Sequence, residues 1–354
     1  MIRRRLGGTL AAVGLLAGST VPAAAQGLAG RVALEGIASL STQARTLDDP
    51  MVILDLVSTV RLADGWDVVV RPWSMRRPGG DWTFEMYQLQ VRYVSSTRVP
   101  FRVDAGIIPS PVGLFTLELQ PHRNPLISAP FYYFTPLPAV DGRADRVRLM
   151  SGGYPLGAIV TVSGTRWDAR AGVTSSTPAQ PHNVLARTRP PAHAQLVLGG
   201  GLTPLPGLRV GAGFTRGRFH SANGGSTTGD EASASVLNLE GEYAVGHTRV
   251  SGEWIHDRFD TARGVRTARG FSVQVAQTIS PRIFTAARAT RVSAPVATVP
   301  VETRRTSAEF EVSAGYRLST ALTARGGYQR RRGYQEMAWQ NAAVMSLVWA
   351  ERWW

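Results

Sequence analysis

Ser307-Ala-Glu-Phe-Glu-Val-Ser-Ala-Gly-Tyr-Arg-Leu318 is the stretch whose reading decides the architecture. Ala308, Phe310, Val312, Ala314, Tyr316 and Leu318 fall on one side of an extended backbone, and Ser307, Glu309, Glu311, Ser313, Gly315 and Arg317 on the other. Alternation at every second residue marks a strand with two unlike faces, whereas a helix would scatter both sets around its circumference. One face is aliphatic and aromatic and the other carries charges. The strand is also longer than the ~5–6 residues usual in soluble sandwiches.

The same split recurs on both sides of it. In 320–331, Leu322, Ala324, Gly326 and Tyr328 oppose Thr323, Arg325, Gly327, Gln329 and Arg331; in 166–174, Trp167, Ala169, Ala171 and Val173 oppose Arg166, Asp168, Arg170, Gly172 and Thr174. At 83–93, Tyr87, Leu89, Val91 and Tyr93 alternate with Gln88, Gln90 and Arg92, and at 236–245, Leu237, Leu239, Tyr243 and Val245 alternate with Asn238, Glu240 and Glu242. Fainter alternation covers 30–41, 51–62, 66–75, 100–108, 155–164, 193–202, 207–217, 248–259, 270–279, 282–291 and 340–350. Together these windows make sixteen strands, within a range of 14 to 18, each near the ~9–11 residues that cross a bilayer at a tilt. The fold class expected is all-β: one transmembrane antiparallel up-and-down β-barrel with an even number of strands.

The amino terminus fits an exported protein. Arg3, Arg4 and Arg5 precede an apolar run from Leu6 to Val21, and Ala23-Ala24-Ala25 supplies small residues before Gln26. Residues 1–25 read as a secretory signal peptide cleaved after Ala25, and 26–354 as a single barrel. No later segment approaches the ~18 uninterrupted apolar residues of a transmembrane helix. There is no cysteine, which excludes disulfides, thiolate metal sites, covalent haem attachment and a lipoprotein anchor. With 44% hydrophobic residues and 37 glycines, the mean hydropathy of −0.07 suits strands that are apolar on one face only.

All 39 basic residues are arginine, and the formal charge is +14. Such an excess fits nucleic acid, acidic lipid or an anionic solute. Export argues against nucleic acid and leaves outer-membrane lipid, lipopolysaccharide phosphates and small solutes. Trp66, Trp82, Trp167, Trp254, Trp339 and Trp349 are candidates for interfacial girdles. At the carboxyl terminus Ala343, Met345, Leu347, Trp349 and Trp353 share a face, resembling the last strand by which bacterial outer-membrane proteins meet their assembly machinery. Glu351 and Arg352 depart from that pattern, through a kink or a shifted register.

The longest stretch without alternation, 109–146, holds Pro109, Pro111, Pro121, Pro125, Pro130, Pro136 and Pro138. That density forbids a central strand. The cluster Phe131-Tyr132-Tyr133-Phe134 is too hydrophobic for water, so the expected place for this loop is the barrel interior, as a constriction, the alternative being a hairpin folded over the rim. Two other stretches, 176–192 and 220–231, read as exposed loops.

Asp104-Ala-Gly-Ile-Ile-Pro-Ser-Pro-Val-Gly-Leu-Phe115, and the run from Leu239-Glu-Gly-Glu-Tyr243 to Ser251-Gly-Glu-Trp254, resemble the phosphate-selective porin-like family of outer-membrane channels. The resemblance implies a strand ending in a glycine-and-proline turn near a pore. The lysines that line the anion path in that family have no counterpart here, so phosphate selectivity does not carry over.

The function expected is a porin, non-enzymatic and without cofactor or metal, passing small hydrophilic solutes with mild anion preference; a homotrimer is one arrangement open to it. Pore-lining candidates are Arg92, Arg102, Asp104, Arg166, Asp168, Arg170, Arg209, Glu240, Glu242, Glu309, Glu311, Arg325 and Arg331, with Glu35 and Glu253 among the opposing carboxylates. Sixteen strands leave room for water between them, where eight would be filled by side chains. Two rivals are a structural or adhesive barrel with a plugged lumen and a lipid-acting esterase. The second rests on Phe219-His220-Ser221-Ala222-Asn223-Gly224, similar to an outer-membrane phospholipase motif. Adjacent strand residues point to opposite faces, so His220 cannot serve Ser221 as a base in a strand.

Overall fold

A computed structural model describes residues 31–43, 49–96, 100–137, 147–180, 193–219, 233–261, 264–295, 303–334 and 338–353. The expected signal peptide and the pair His220/Ser221 lie outside these residues, as do most of the stretches 176–192 and 220–231. Sixteen strands follow in chain order: β1 Val32–Gln43, β2 Met51–Ala63, β3 Trp66–Arg76, β4 Trp82–Val94, β5 Phe101–Ile107, β6 Leu156–Ser163, β7 Trp167–Thr174, β8 Gln195–Leu205, β9 Leu208–Arg218, β10 Ser233–Val245, β11 Thr248–Thr261, β12 Gly264–Thr278, β13 Ile283–Pro295, β14 Arg304–Arg317, β15 Leu322–Arg332 and β16 Gln340–Arg352. Each pairs antiparallel with its sequence neighbours, and β1 pairs with β16 to close the barrel. Closure satisfies the backbone N–H and C=O groups of every strand, the condition a sheet must meet in hydrocarbon.

Most strands carry an exposed, mainly apolar row and a buried row that is polar over much of its length, the reverse of a water-soluble protein. Leu196, Leu198, Leu239, Phe271, Val273, Val275, Phe310, Met345 and Leu347 are all exposed, while Ser272, Gln274, Arg288, Glu309, Glu311 and Ser346 are buried. A continuous apolar exterior on this scale needs a bilayer to cover it. Trp66, Trp82, Trp167, Trp254 and Trp339 are among the exposed residues. Among the described residues no helix is long and apolar enough to cross a membrane.

The connections alternate in length. The hairpins after even-numbered strands are short, such as Asp64-Gly65 between β2 and β3, where Gly65 takes a φ of +77° that side chains rarely adopt. Those after odd-numbered strands include the long β5–β6 connection. In outer-membrane barrels the short turns face the periplasm and the long loops the outside.

Two details depart from the sequence reading. Tyr87, expected in the lipid-facing row with Leu89, is skipped by a bulge in which Arg71 pairs with Gln88 and Pro72 with Met86. Proline has no ladder N–H to give, and a bulge is where a strand tolerates it. Tyr87 instead stacks on Trp73 at 4.6 Å and on Tyr154 at 4.7 Å. At the other end, β16 neither kinks nor slips at Glu351: it pairs with Gly36 and Arg352 with Glu35 in unbroken register. Trp353 then donates its N–H to Leu34 O at 2.9 Å, with its ring beside Gly36, where a Cβ would clash.

Candidate pore and its lining

Register divides the candidate lining into two groups. The first runs along the inward faces of β4 to β11. Arg92 and Arg102 both reach Asp104, at 2.8 and 2.7 Å, and Gln90 Nε2 donates to the same carboxylate at 2.8 Å. Farther round, Arg209 bridges Asp168 at 3.0 Å and Glu240 at 2.6 Å, with Arg170 3.9 Å from Glu240. Arg249 lies 3.6 Å from Glu242. These guanidinium groups keep contact with the interior space: the side chains of Arg92, Arg102 and Arg209 are 30%, 48% and 34% exposed. The sequence makes room for them with glycine. A Cβ at Gly201 would sit 2.6 Å from Arg209 Nη2, and one at Gly199 would sit 2.7 Å from Arg170 Nε.

The second group anchors the β5–β6 connection. Glu311 accepts from the backbone N–H of Ile127 at 2.8 Å and Ser128 at 3.1 Å, and from the Ser128 hydroxyl. Arg288 lies fully buried between Glu309 at 3.4 Å and Glu311 at 3.1 Å. Arg325 donates to the carbonyls of Asn124 and, at 2.7 Å, Leu126. Arg331 donates to Thr135 at 2.9 Å and lies over the Phe131 ring. On β11, Glu253 accepts from Leu114 N at 2.7 Å, Tyr132 OH at 2.6 Å and Tyr133 OH at 3.2 Å. Glu118 completes the set, accepting from Arg249 and Gln274, each at 2.7 Å. Burial pushes the Glu118 carboxyl above its usual range, against the pull of Arg249.

Residues 113–135 therefore hydrogen-bond to side chains of β11, β12, β14 and β15, while His122 lies 3.8 Å from Glu35 of β1. Burial, with Arg123, Arg71 and Arg325 nearby, lowers the His122 pKa to about 4. Toward the long-loop end, Phe131, Tyr132, Tyr133, Leu149 and Met150 pack into one apolar cluster with inward Val236, Ile255, Phe259 and Val292. The cluster, which also takes in Ile159 of β6 and Val197 of β8, is why Phe131, Tyr132 and Tyr133 can sit in a connection; Phe134, the fourth aromatic of the run, is exposed.

Thirteen candidates thus fall into a hydrated set, a loop-anchoring set and one outlier. Arg166 stands in the β6–β7 turn, exposed, its carbonyl accepting from Thr203. Sequence reasoning missed Arg71, Asp55, Arg249, Arg288 and Glu118. Parity alone would have found Arg288: it has the parity of Thr290, opposite Glu309, while Arg291 has the other. Arg71 pairs with Asp55 inside the barrel and donates to Tyr154 OH at 2.5 Å; the bulge hides that alignment from periodicity.

Solved structures share this architecture. A loop-deletion form of OmpT, an outer-membrane protein of Vibrio cholerae, aligns over 91% of this chain and 99% of its own, with TM-score 0.56 and 14% identity. OmpF of Salmonella typhi, solved with daunomycin, aligns over 90% and 97%, with TM-score 0.57 and 8% identity. A porin refined at 1.8 Å aligns over 90% and 100%, with TM-score 0.53 and 11% identity. The chain shares the closed 16-strand fold of these porin-like outer-membrane β-barrels. At these identities the likeness is one of fold. No protein-family model and no curated protein matches the sequence.

Proposed function

We propose that the barrel is a passive pore for small hydrophilic solutes, narrowed by residues 113–135, with mild anion preference. The observation that carries this reading is an asymmetry. Residues 113–135 direct their hydrogen bonds to side chains of β11, β12, β14 and β15, while the side chains of Arg92, Arg102 and Arg209 on β4, β5 and β9 stay partly exposed. A solute would pass between the two, diffusing down its gradient with no covalent step. On the hydrated side Arg92, Arg102, Arg170 and Arg209 outnumber Asp104, Asp168 and Glu240, which favours anions, while Arg249 is shared between Glu242 and the connection's Glu118. The resemblance of 104–115 and 239–254 to phosphate-selective porin-like channels supports a pore without importing that selectivity.

A second reading, a plugged barrel of structural role, rests on the apolar cluster at the long-loop end. Conductance of the refolded protein in a planar bilayer, with a KCl gradient, separates the two. Stable open steps with a reversal potential of anion sign are expected. Cation selectivity overturns the preference, and silence from a folded barrel overturns the pore.

A further inference from the structure

The outward face of the barrel is not uniform. Arg216 and Arg218 of β9, Arg269 of β12, Arg291 of β13 and Arg330 and Arg332 of β15 have outward parity near the long-loop end, and among the described residues no carboxylate pairs with any of them. Arg269 donates to His256 at 3.1 Å, and Arg330 and Arg332 lie 4.8 and 5.3 Å from the Trp339 ring centroid. Along β1 to β8 the one described strand arginine of that parity, Arg76, is tied to Asp49. The unpaired cations are thus gathered on one side of the barrel, at the membrane boundary.

Register places an apolar groove beneath three of them, Arg291, Arg330 and Arg332. Phe271, Arg291, Ala308 and Arg332 form one row across β12 to β15, and Val273, Ala289, Phe310 and Arg330 the next. Two residues farther toward mid-membrane come Val275, Ala287, Val312 and Tyr328, which line a groove of about 540 Å³ with Thr285 and Gly326. The small side chains of β13 make its floor. Strand rise puts this floor ~13 Å along the strands from the arginine row, the order in which a lipid presents phosphate and then acyl chain.

We propose that this face of β9 to β15 binds a multiply phosphorylated glycolipid of the outer leaflet, lipid A of lipopolysaccharide, with its phosphates on Arg291, Arg330 and Arg332 and an acyl chain in the groove. Three guanidinium groups in two adjacent rows across β13 to β15 suit multiple phosphates better than one. The inference concerns the outer surface and does not depend on conduction.

Native mass spectrometry of the folded chain in zwitterionic detergent, titrated separately with lipid A, phosphatidylglycerol and phosphatidylethanolamine, tests it. Folding is checked for each variant by the heat-dependent shift of the barrel on gels. Lipid A is expected to bind one per chain, about tenfold tighter than phosphatidylglycerol. R291Q/R330Q/R332Q should lose about that factor, and the groove-filling A287L should weaken lipid A binding with the charges intact. Equal retention of lipid A and phosphatidylglycerol, or unchanged binding by the triple variant, overturns the site. An oligomer that A287L converts to monomer makes a second copy the occupant and overturns it as well.

Discussion

Replacing Glu311 with alanine should release the middle of the β5–β6 connection while leaving the barrel closed. The carboxylate accepts three hydrogen bonds from Ile127 and Ser128 and pairs with Arg288. Bonds to a charged acceptor contribute ~1.5–3 kcal/mol each, and removing one partner of a buried pair costs ~3–5 kcal/mol in all, so about 4 kcal/mol is the reasonable loss. At ~1.4 kcal/mol per tenfold, the docked state of residues 124–128 falls by roughly a thousandfold relative to the released state. Arg325, Glu253 and Glu118 still hold the flanks, so the expected channel record is noisier, with a larger mean conductance. E311Q keeps an acceptor oxygen toward the two backbone N–H groups and should lose about half as much. Trypsin gives an independent readout, because Arg123 becomes cleavable only when its segment leaves the interior. The β13–β14 ladder is main-chain pairing and persists, so the heat-dependent gel shift should not move. Wild-type conductance, noise and trypsin resistance in a folded E311A barrel would refute the reasoning.

Gly113 has a φ of +107° and a Cβ there would lie 2.6 Å from Tyr133 OH, so Gly113→Ala should weaken docking by ~1–3 kcal/mol, seen as E311A-like noise. Arg209→Gln strips Asp168 and Glu240 of their bridging cation, and the reversal potential in a salt gradient should move toward cations; no movement removes Arg209 from the solute path. The docked His122 pKa of about 4 lies below the ordinary 6.5, so the released segment binds more protons between these values. Docking is therefore full above about pH 6.5 and loses up to about 3 kcal/mol as pH falls toward 4; channel noise should rise at pH 4.5 and stay flat in His122→Asn. Asp55→Asn leaves the buried Arg71 without its carboxylate and should cost ~3–5 kcal/mol of stability, measured as a lower urea midpoint in detergent.

The strands were legible because lipid imposes a rule that acts on every second residue. Ser307–Leu318 shows both faces without help from any other segment, and sixteen windows of that kind became sixteen strands. Legibility failed where one residue breaks the parity. Pro72 cannot donate to the ladder, the bulge that accommodates it skips Tyr87, and the inward cluster of Arg71, Trp73, Tyr87 and Tyr154 could not be assembled from alternation.

The candidate site divides the same way. Alternation says which charges point inward, and it picked out Arg92, Arg209, Glu240, Glu309 and Glu311 as one class. It is silent on what those charges meet, because that depends on a connection with no period of its own. Glu309 and Glu240 are equivalent by strand pattern, yet one is enclosed with Arg288 and Gln329 beside Ser128, and the other lies beside a partly hydrated Arg209. The difference is set by Ser128 and Ile127, which reach the barrel wall about 180 residues away in sequence from Glu311. A charged residue on an inward face therefore has two physical fates, solute contact or loop anchorage. Charges in the first act on a passing solute at contact, whereas those in the second act on it only through the summed field of their ion pairs.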